Sequence, residues 1–261
     1  MDYLFDKWDK LKKTLVNKHI ILFVDYDGTL TPIVDSPDKA VMSDEARDLL
    51  KALSTKPRCQ VGVISGRALG NLKKMVGLKD LIYVGNHGLE IDAPKIKFKT
   101  QLTPEMVSII RNIKDKLSMK LSGINGIAVE DKFVTVSIHY RLAGRAGYLS
   151  AKKIIEETAS PFIASGKIKV RAGKKVLEII PETHWNKGEI VEWILARETR
   201  VLGTPPLPIY LGDDTSDEDA FGVLKDKGLT VFVGRKKTSK AKYYLRNPKE
   251  VLIFLREILE L

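Results

Sequence analysis

A short apolar run that ends abruptly in acidic residues constrains this chain more than any other stretch. Ile20 to Val24 is continuously apolar, and Asp25-Tyr-Asp-Gly-Thr29 follows it directly. An apolar run of this length is typical of a strand buried on both faces of a parallel sheet. Ligands of open α/β sheets bind at the carboxyl ends of the strands, where Asp25 and Asp27 would lie. Side chains alternate along a strand, so the two carboxylates point the same way if strand geometry persists, after which Gly28 lets the chain turn.

Two carboxylates in this position suit phosphoryl transfer. Asp25 is the candidate nucleophile, since a carboxylate can attack phosphorus and carry an aspartyl-phosphate. Asp27 is the candidate general acid and base, which would protonate the leaving oxygen and later activate water. A second interpretation stays open at this point, because Asp and Gly are also common in an Asx turn at the end of a strand.

Composition indicates a globular protein of one large or two small domains, with 261 residues of which 44% are hydrophobic and 30% charged. No apolar run reaches the roughly 18 residues of a membrane span, so no membrane association is expected. The first residues lack the basic and then apolar pattern of a secretory signal. The single cysteine, Cys59, cannot form an intrachain disulfide and fits a reducing compartment. We therefore expect a cytoplasmic protein.

The net charge of +11 favours anionic partners. Phosphorylated small molecules and nucleic acids both meet that description. The lysines are spread along the whole chain, however, and they are not interleaved with stacking aromatic residues. The sequence therefore predicts a small phosphorylated substrate and no nucleic acid, with a monomer as the expected state.

The first hundred residues alternate between strand and helix patterns. The predicted elements are an amphipathic helix at 3–17, the strand Ile20–Val24, a helix from the capping residue Ser43 to Leu53, and the strands Gln60–Ile64 and Leu81–Val84. This alternation predicts right-handed crossovers and a parallel sheet.

The pattern changes after about residue 98 and returns after residue 180. Between them we predict a helix from Thr103 to Leu121, paired strands at 127–130 and 133–140 around Asp131-Lys132, a helix at 145–159, and a hairpin of 167–171 with 176–180. This αββαββ order predicts an antiparallel sheet with helices on one face. Residues 1–98 and 181–261 would form the α/β core, and 99–180 an inserted α+β domain.

The core pattern resumes with a helix over Asn186–Leu195. The elements that follow are the strand Pro208–Leu211, a helix opened by a capping Ser216, the strand Leu229–Val233, and a last helix that begins at Asn247. These elements extend the predicted parallel sheet.

Three further loops carry residues suited to phosphate and metal. Ser65 follows the second buried strand and can donate to a phosphoryl oxygen, and Lys187 can neutralise that group near a helix N-terminus. Asp213 and Asp214 follow another buried strand and would reach the same cleft as Asp25. Clustered carboxylates repel one another unless a cation holds them, and Mg²⁺ is the expected cofactor. A turn serine and a surface lysine are the alternatives for the first two residues.

In order and spacing, these elements resemble the four motifs of the haloacid-dehalogenase-like phosphatases. The matching elements are Asp25-Tyr-Asp-Gly-Thr29, Ser65, Lys187 and Gly212-Asp-Asp-x-x-Asp217. The resemblance implies a Rossmann-like core with Asp25 as nucleophile and Asp27 as general acid and base. It also implies a large α/β cap domain inserted between the second and third motifs. Cation pumps of that superfamily carry Thr in place of the second Asp, so Asp27 indicates a phosphatase.

Three longer stretches resemble the trehalose-6-phosphate phosphatase family within that superfamily. They are Gly85-Asn-His-Gly-Leu-Glu90, the segment from Val129 to Arg141, and the segment from Leu177 to Gly188. The resemblance implies hydrolysis of trehalose 6-phosphate, a step of trehalose biosynthesis. It also implies Mg²⁺ ligation by Asp25, Asp213 and the main-chain carbonyl of Asp27, with Asp214 or Asp217 in outer contacts.

Sugar recognition would then fall to the cap and to the loop after the third strand. The candidate substrate-binding residues are Arg67, His87, Gly88, Glu90, Glu130, Lys132 and Glu178. Arg67 is equally well explained by a structural ion pair. The direction of His139 and Arg141 stays open, and His19 and His184 are assigned to structure. Closure of the cap over the site would need hinges near 92–102 and 179–184.

Two other functions remain as alternatives. A phosphatase for another sugar phosphate, such as those of sucrose, mannosyl-glycerate or glucosyl-glycerol, would keep the same first motif and differ in the cap. A phosphatase-like domain that regulates a trehalose-phosphate synthase would keep the fold without the reaction. The acidic set and Lys187 are all present, which favours an enzyme.

Overall fold

A computed structural model describes residues 1–94, 96–100, 102–235 and 238–261. The chain divides into two compact units, which we number in chain order. Unit 1 comprises Met1–Lys99 and Trp185–Leu261, and unit 2 comprises Thr100–His184. The sequence prediction placed the insertion at 99–180.

The strands and helices follow in chain order. The strands are β1 (Asp2–Tyr3), β2 (Ile20–Asp25), β3 (Cys59–Ile64), β4 (Ile82–Gly85), β5 (Glu90–Ala93), β6 (Ile96–Lys99), β7 (Ala128–Asp131), β8 (Val136–His139), β9 (Ile168–Gly173), β10 (Val176–Pro181), β11 (Leu207–Gly212), β12 (Leu229–Val233) and β13 (Tyr243–Leu245). The α-helices are α1 (Trp8–Leu15), α2 (Asp44–Thr55), α3 (Leu69–Val76), α4 (Pro104–Leu121), α5 (Arg145–Ala164), α6 (Lys187–Leu202), α7 (Asp217–Leu224) and α8 (Pro248–Leu259).

Unit 1 contains a mostly parallel sheet, as predicted from the sequence. Its strand order is β1-β13-β12-β11-β2-β3-β4-β5-β6. The pairs from β1 to β4 are parallel, and β5 and β6 add an antiparallel hairpin at one edge. The central strand β2 lies between β11 and β3, which come from distant parts of the chain. Strand order reverses there, and such a switch point is where α/β sheets bind ligands.

The central strand is buried on both faces, which confirms the prediction for the first apolar run. Leu22 and Val24 belong to one apolar cluster of the core, and Ile21 and Phe23 belong to a second. All six residues of β2 are buried. The acidic loop after β2 is thus carried by a fully buried strand of the unit.

Unit 2 has the predicted αββαββ order and its own apolar core. Its antiparallel strands run in the order β7-β8-β10-β9. The residues Val136, Ile138, Leu177 and Ile179 pack with apolar residues of α4 and α5. Because strand side chains alternate, the residues between them lie on the opposite face of the sheet, away from the helices.

The predicted helix at 3–17 is wrong in its first half. Asp2 and Tyr3 pair with β13, the next four residues form a 3₁₀ turn, and the α-helix begins at Trp8. The Tyr3 hydroxyl donates to Glu250 at 3.0 Å. These long-range contacts outweigh a helical spacing that only local residues define.

Two helices extend beyond their predicted ends. Helix α5 continues past residue 159 and over Pro161 to Ala164, and Phe162 packs against the core of unit 2. Helix α6 continues to Leu202 because no breaker intervenes before Gly203, which caps it at φ +73°. Apolar packing and a late glycine decide these ends.

Two loop predictions also need correction. Ser216 precedes α7, but its side chain makes no capping hydrogen bond. The turn between β7 and β8 spans 132–135 rather than 131–132, because the Lys132 N–H donates to the Thr135 carbonyl. The hinge proposed at 92–102 stays a prediction, and Lys95 and Gln101 within it lie outside the described residues.

None of the helices in the described ranges combines the length and apolar character needed to cross a bilayer.

Candidate active site

Three buried carboxylates meet at the carboxyl edge of the unit 1 sheet. Asp25 is the last residue of β2, Asp213 follows the neighbouring parallel strand β11, and Asp217 begins α7. One oxygen of each carboxylate lies within 4.8 Å of the other two. Acidic groups this close repel one another unless positive charge lies among them.

Lys187 supplies part of that positive charge. Its Nζ donates to Asp25 Oδ1 at 2.7 Å and to Asp217 Oδ1 at 2.8 Å. Lys187 is the first residue of α6, where Asn186 caps the helix by accepting from the N–H groups of Gly188 and Glu189. The positive end of the helix dipole therefore adds to the ammonium charge beside Asp25.

Asp217 organises the site through four hydrogen bonds. Its Oδ1 accepts from Lys187 and from the Tyr210 hydroxyl at 2.8 Å. Its Oδ2 accepts from the backbone N–H groups of Asp213 and Asp214, both at 3.0 Å. A carboxylate has about four acceptor positions, and all four are used here. Asp217 therefore fixes the loop after β11 and the ammonium of Lys187 at the same time.

The ionisation of these groups follows from burial and charge together. Burial raises the pKa of Asp25, and the charges of Asp217 and Asp213 raise it further against the opposing effect of Lys187. Burial alone would raise the pKa of Asp217 as well. The charge of Lys187 and the hydrogen bonds that Asp217 accepts instead hold the pKa of Asp217 below its usual value. The pKa of Lys187 is well above normal, since these two carboxylates outweigh the effect of burial.

The donor set fits a hard divalent cation. Asp25 and Asp213 offer carboxylate oxygens within 4.8 Å of one another, and Lys187 contacts Asp25 and Asp217. Asp217 belongs to the cluster by position, but its two oxygens already accept four hydrogen bonds. It is therefore suited to support the metal-binding residues rather than to bind the metal itself. Asp214, which the sequence placed among the metal residues, lies outside the cluster and is half-buried.

Gly28 allows the first and fourth motifs to approach each other. Its φ is +89°, and a Cβ atom at this position would lie 1.8 Å from Asp213 Oδ2. The sequence suggested only that Gly28 lets the chain turn. The structure adds that no side chain fits between this residue and the acidic cluster.

Asp27 is not a member of the buried carboxylate cluster and pairs with Arg67 instead. Strand β2 ends at Asp25, and the following chain turns so that the N–H groups of Leu30 and Thr31 donate to the Tyr26 carbonyl. Alternation therefore does not extend to Asp27. Its carboxylate forms a two-point ion pair with Arg67, with two nitrogen–oxygen distances of 2.7 Å, and its side chain is 42% exposed.

Arg67 is held by several groups besides Asp27. Its guanidinium also donates to the Pro37 carbonyl at 2.8 Å and to Asn71 Oδ1 at 3.2 Å, and it lies 5.4 Å from the centre of the Tyr26 ring. Of the two sequence interpretations of Arg67, these contacts support the ion pair.

The loops after β3 and β4 are joined by their backbones. The His87 N–H donates to the Ser65 carbonyl at 3.1 Å, and the Asn86 N–H donates to the Arg67 carbonyl at 2.8 Å. Ser65 Oγ accepts from the Arg67 N–H at 3.1 Å. A Cβ on Gly66 would lie 2.4 Å from the His87 ring. Ser65 and His87 are therefore set side by side.

Gly88 and Glu90 complete this second loop. Gly88 has φ +107°, and a Cβ there would lie 2.7 Å from the Asn186 carbonyl oxygen, so the glycine lets the loop pack against the start of α6. Glu90 Oε2 accepts from Asn86 Nδ2 at 2.7 Å. His87 and Gly88 thus lie near Ser65 and Lys187, and Glu90 is tied to the loop itself.

Unit 2 carries the remaining predicted residues on the side of its sheet that faces away from its helices, where Lys132, Ser137 and Glu178 are buried. Glu130, Ser137, Glu178 and Arg171 are aligned in register across the four strands. Lys132 Nζ and Ser137 Oγ both donate to Glu178 Oε1 at 2.9 Å.

The two cap residues that the sequence left open take different directions. His139 pairs with Glu130 at 2.8 Å, and the register places it on the same face of the sheet as Ser137. Arg141 instead donates to the Lys174 carbonyl at 2.7 Å.

Comparison with known proteins gives this geometry a family. The sequence profile of the family described as Trehalose-phosphatase matches residues 23–249. Probable trehalose-phosphate phosphatase D of Arabidopsis thaliana is 33% identical over 97% of this chain and 70% of its own length. A trehalose 6-phosphate phosphatase of Zea mays is 32% identical over 97% of this chain and 73% of its own length. This chain belongs to the trehalose-phosphatase family.

Structural comparison agrees with that membership. The C-terminal domain of Candida albicans trehalose-6-phosphate phosphatase superposes with a TM-score of 0.82 and 28% identity, covering 97% of this chain and 96% of that chain. The matched relatives are named as phosphatases, which are phosphoric monoester hydrolases, and this agrees with the enzyme class that the sequence analysis predicted. The matched residues run from β2 to α8 and include every candidate residue described above.

Two residues of this family member escaped the sequence analysis. Tyr210 lies in the apolar run of β11 and holds Asp217, and Ser137 lies in β8 and holds Glu178. A signal existed for each, because a tyrosine in a buried strand needs a partner for its hydroxyl, and Ser137 alternates with apolar residues. Their partners are distant in sequence, so the pairing itself was not visible.

Proposed function

We propose that this protein hydrolyses trehalose 6-phosphate to trehalose and inorganic phosphate, with Mg²⁺, through an aspartyl-phosphate on Asp25. The observation that carries the proposal is the buried contact of Lys187 Nζ with Asp25 Oδ1, at 2.7 Å, in a chain of the trehalose-phosphatase family. A nucleophile in contact with an ammonium suits an attack on an anionic phosphoryl group, because the ammonium offsets the charge that the group brings in.

In the first step, a carboxylate oxygen of Asp25 attacks phosphorus in line. The bond between phosphorus and the sugar oxygen breaks, its electron pair stays on that oxygen, and Asp27 supplies the proton. Lys187 stabilises the charge on the phosphoryl oxygens, and the Ser65 hydroxyl donates to one of them. Ser65 suits this role, because its Oγ accepts from the Arg67 N–H and is thereby oriented.

In the second step, Asp27 takes a proton from a water molecule, which attacks phosphorus. The bond between phosphorus and Asp25 breaks, which restores the Asp25 carboxylate and releases inorganic phosphate. We propose Arg67 as a positioning residue for Asp27, because its two-point ion pair fixes the plane of that carboxylate.

The residues that would hold Mg²⁺ are Asp25, Asp213 and the main-chain carbonyl of Asp27, with Asp214 and Asp217 supporting the loop. When bound, the ion would neutralise charge on the phosphoryl oxygens. The support for this assignment is the position of Asp25 and Asp213 in one buried carboxylate cluster and the raised pKa of Asp25.

Unit 2 is proposed as the cap that recognises the sugar. Hydroxyl groups need paired donors and acceptors, and Glu130, Lys132 and Glu178 provide them on one face of its sheet. His87, Gly88 and Glu90 are proposed to contribute from the loop after β4.

Phosphate release from a panel of sugar phosphates with Mg²⁺ tests the proposal. We expect a strong preference for trehalose 6-phosphate over sucrose 6-phosphate and glucose 6-phosphate, abolished by Asp25→Asn. Asp226→Asn, which alters an exposed aspartate, is the matched control and should keep full activity. Equal turnover of several sugar phosphates would refute the substrate. Absence of release by the folded protein would favour the regulatory alternative.

A further inference from the structure

Phe133 combines an exposed aromatic ring with a strained backbone. The residue is 80% exposed and its φ is +68°. The Val134 N–H donates to the Lys132 carbonyl at 2.8 Å, so a hydrogen bond spans Phe133 alone. This is a γ-turn with positive φ at its central residue, which is the rare and strained form. Strained residues of this kind cluster at ligand sites, so the outlier suggests a function.

The other residues that share this conformation are of different types. Among the described residues, the non-glycine positions with positive φ are Asn17, Arg58, Asp80, Asn86, His87, Phe133 and Lys175. Asn, Asp and His adopt this region more readily than other types, and the remaining pair are long and polar. Within the described chain, Phe133 is the apolar member of this group and also the most exposed of the large apolar side chains.

The backbone of the turn is explained by its neighbours, but the ring is not. Asp131 Oδ1 accepts from the Phe133 N–H at 2.8 Å, and Lys132 turns inward to its buried ion pair with Glu178. These contacts require a left-handed residue between Lys132 and Val134. Glycine or asparagine would satisfy that requirement with less strain and without an exposed ring.

We propose that the Phe133 ring packs against the apolar face of a sugar ring of the substrate and so helps to set affinity for the disaccharide. This inference rests on the proposed function and deepens it. A pyranose presents C–H groups on its face and hydroxyls at its edge. Phe133 follows Lys132 in the chain, and Lys132 and its partner Glu178 are both among the residues proposed above to bind the sugar. Ligand sites commonly combine an aromatic surface with a few placed polar groups.

Steady-state kinetics of Phe133→Ala tests the inference. We expect KM for trehalose 6-phosphate to rise about tenfold, the effect of losing one aromatic contact, with kcat changed less than about twofold. Inhibition by free trehalose should weaken in parallel, and inhibition by inorganic phosphate should stay the same. Phe133→Tyr keeps the ring and should keep KM. Met119→Ala, which removes an apolar side chain of unit 2 that is 71% exposed, should change neither constant.

Thermal unfolding separates a ligand contact from a structural role. Phe133→Gly should raise Tm by about 2–4 °C because it relieves the left-handed strain, while KM rises as in Phe133→Ala. A lowered Tm of Phe133→Ala, which removes the ring without introducing a glycine, would overturn the inference, since the ring would then be structural. An unchanged KM, or a fall in kcat for glucose 6-phosphate as well, would also overturn it.

The inference and the proposed function can fail separately. A wild-type protein that released no phosphate from trehalose 6-phosphate would refute the function. Calorimetric titration with trehalose tests the ring without catalysis: weaker binding by Phe133→Ala than by wild type supports the contact. Equal binding, or none by either protein, would overturn it.

Discussion

At the scale of single residues, hydrogen-bond capacity separates the roles of chemically identical groups. Asp25, Asp213 and Asp217 are all buried aspartates of one cluster. Asp217 accepts four hydrogen bonds and has the lowered pKa, whereas Asp25 shares one ammonium and has the raised pKa. Asp25, whose negative charge is the less well stabilised of the two, is the carboxylate suited to bind a cation or to attack an electrophile.

Gly28→Ala should damage the site through a single methyl group. The new Cβ would meet Asp213 Oδ2 at 1.8 Å, and alanine is strained at a φ of +89°. We expect kcat for phosphate release to fall at least about 100-fold, roughly 2.7 kcal/mol of transition-state stabilisation. Gly203→Ala is the matched control, since Gly203 also has positive φ but nothing within 4 Å. It should cost about 1 kcal/mol of stability and leave kcat unchanged, and equal activity of the two variants would contradict the argument.

Cys59 should be an unreactive thiol with a steep pH dependence. Burial raises its pKa to about 11. Because only the thiolate reacts, alkylation by iodoacetamide at pH 8 should be about 100-fold slower than for a free cysteine and rise about tenfold per pH unit toward pH 11. Mass spectrometry of the labelled protein measures the rate. The urea-unfolded chain should react at the ordinary rate, and fast labelling of the folded protein at neutral pH would contradict the prediction.

At the scale of elements, helix starts were predictable where the cap is local. Ser43, Thr103 and Asn247 each accept from a backbone N–H three residues ahead, and helices α2, α4 and α8 begin where the sequence placed them. The first strand and the edge hairpin of β5 with β6 were not predicted. Strands of two to four residues carry too little pattern, and they exist because a neighbouring strand offers hydrogen bonds.

The cap of α6 should matter for catalysis as well as for stability. Asn186 accepts from two N–H groups and fixes the start of the helix that carries Lys187. Asn186→Ala should cost about 1 kcal/mol of unfolding free energy and lower kcat several-fold, because the ammonium loses its fixed position. Asn247→Ala removes a comparable cap from α8 and should cost similar stability with kcat intact. Urea unfolding and steady-state assays measure both, and an Asn186→Ala enzyme with normal kcat would disprove the link.

At the scale of the whole molecule, the chain divides into two compact units. Unit 2 is continuous in sequence from Thr100 to His184 and has an apolar cluster of its own. A continuous segment with its own core can fold alone. We expect the excised segment 100–184 to give a dispersed amide NMR spectrum and a cooperative thermal transition. A spectrum typical of an unfolded chain would show instead that unit 2 needs the rest of the protein.

The sequence by itself determined the alternation of strands and helices, the doubly buried strand before Asp25, and the αββαββ insertion. These features depend on the spacing of apolar residues along the chain, and spacing is local. Only the tertiary structure decided the partners of the charged groups. Asp27 meets Arg67 across 40 residues, and Asp25 meets Lys187 across 162. Such pairs form because parallel strands bring their carboxyl ends to one edge, and no local pattern records which side chain will face which.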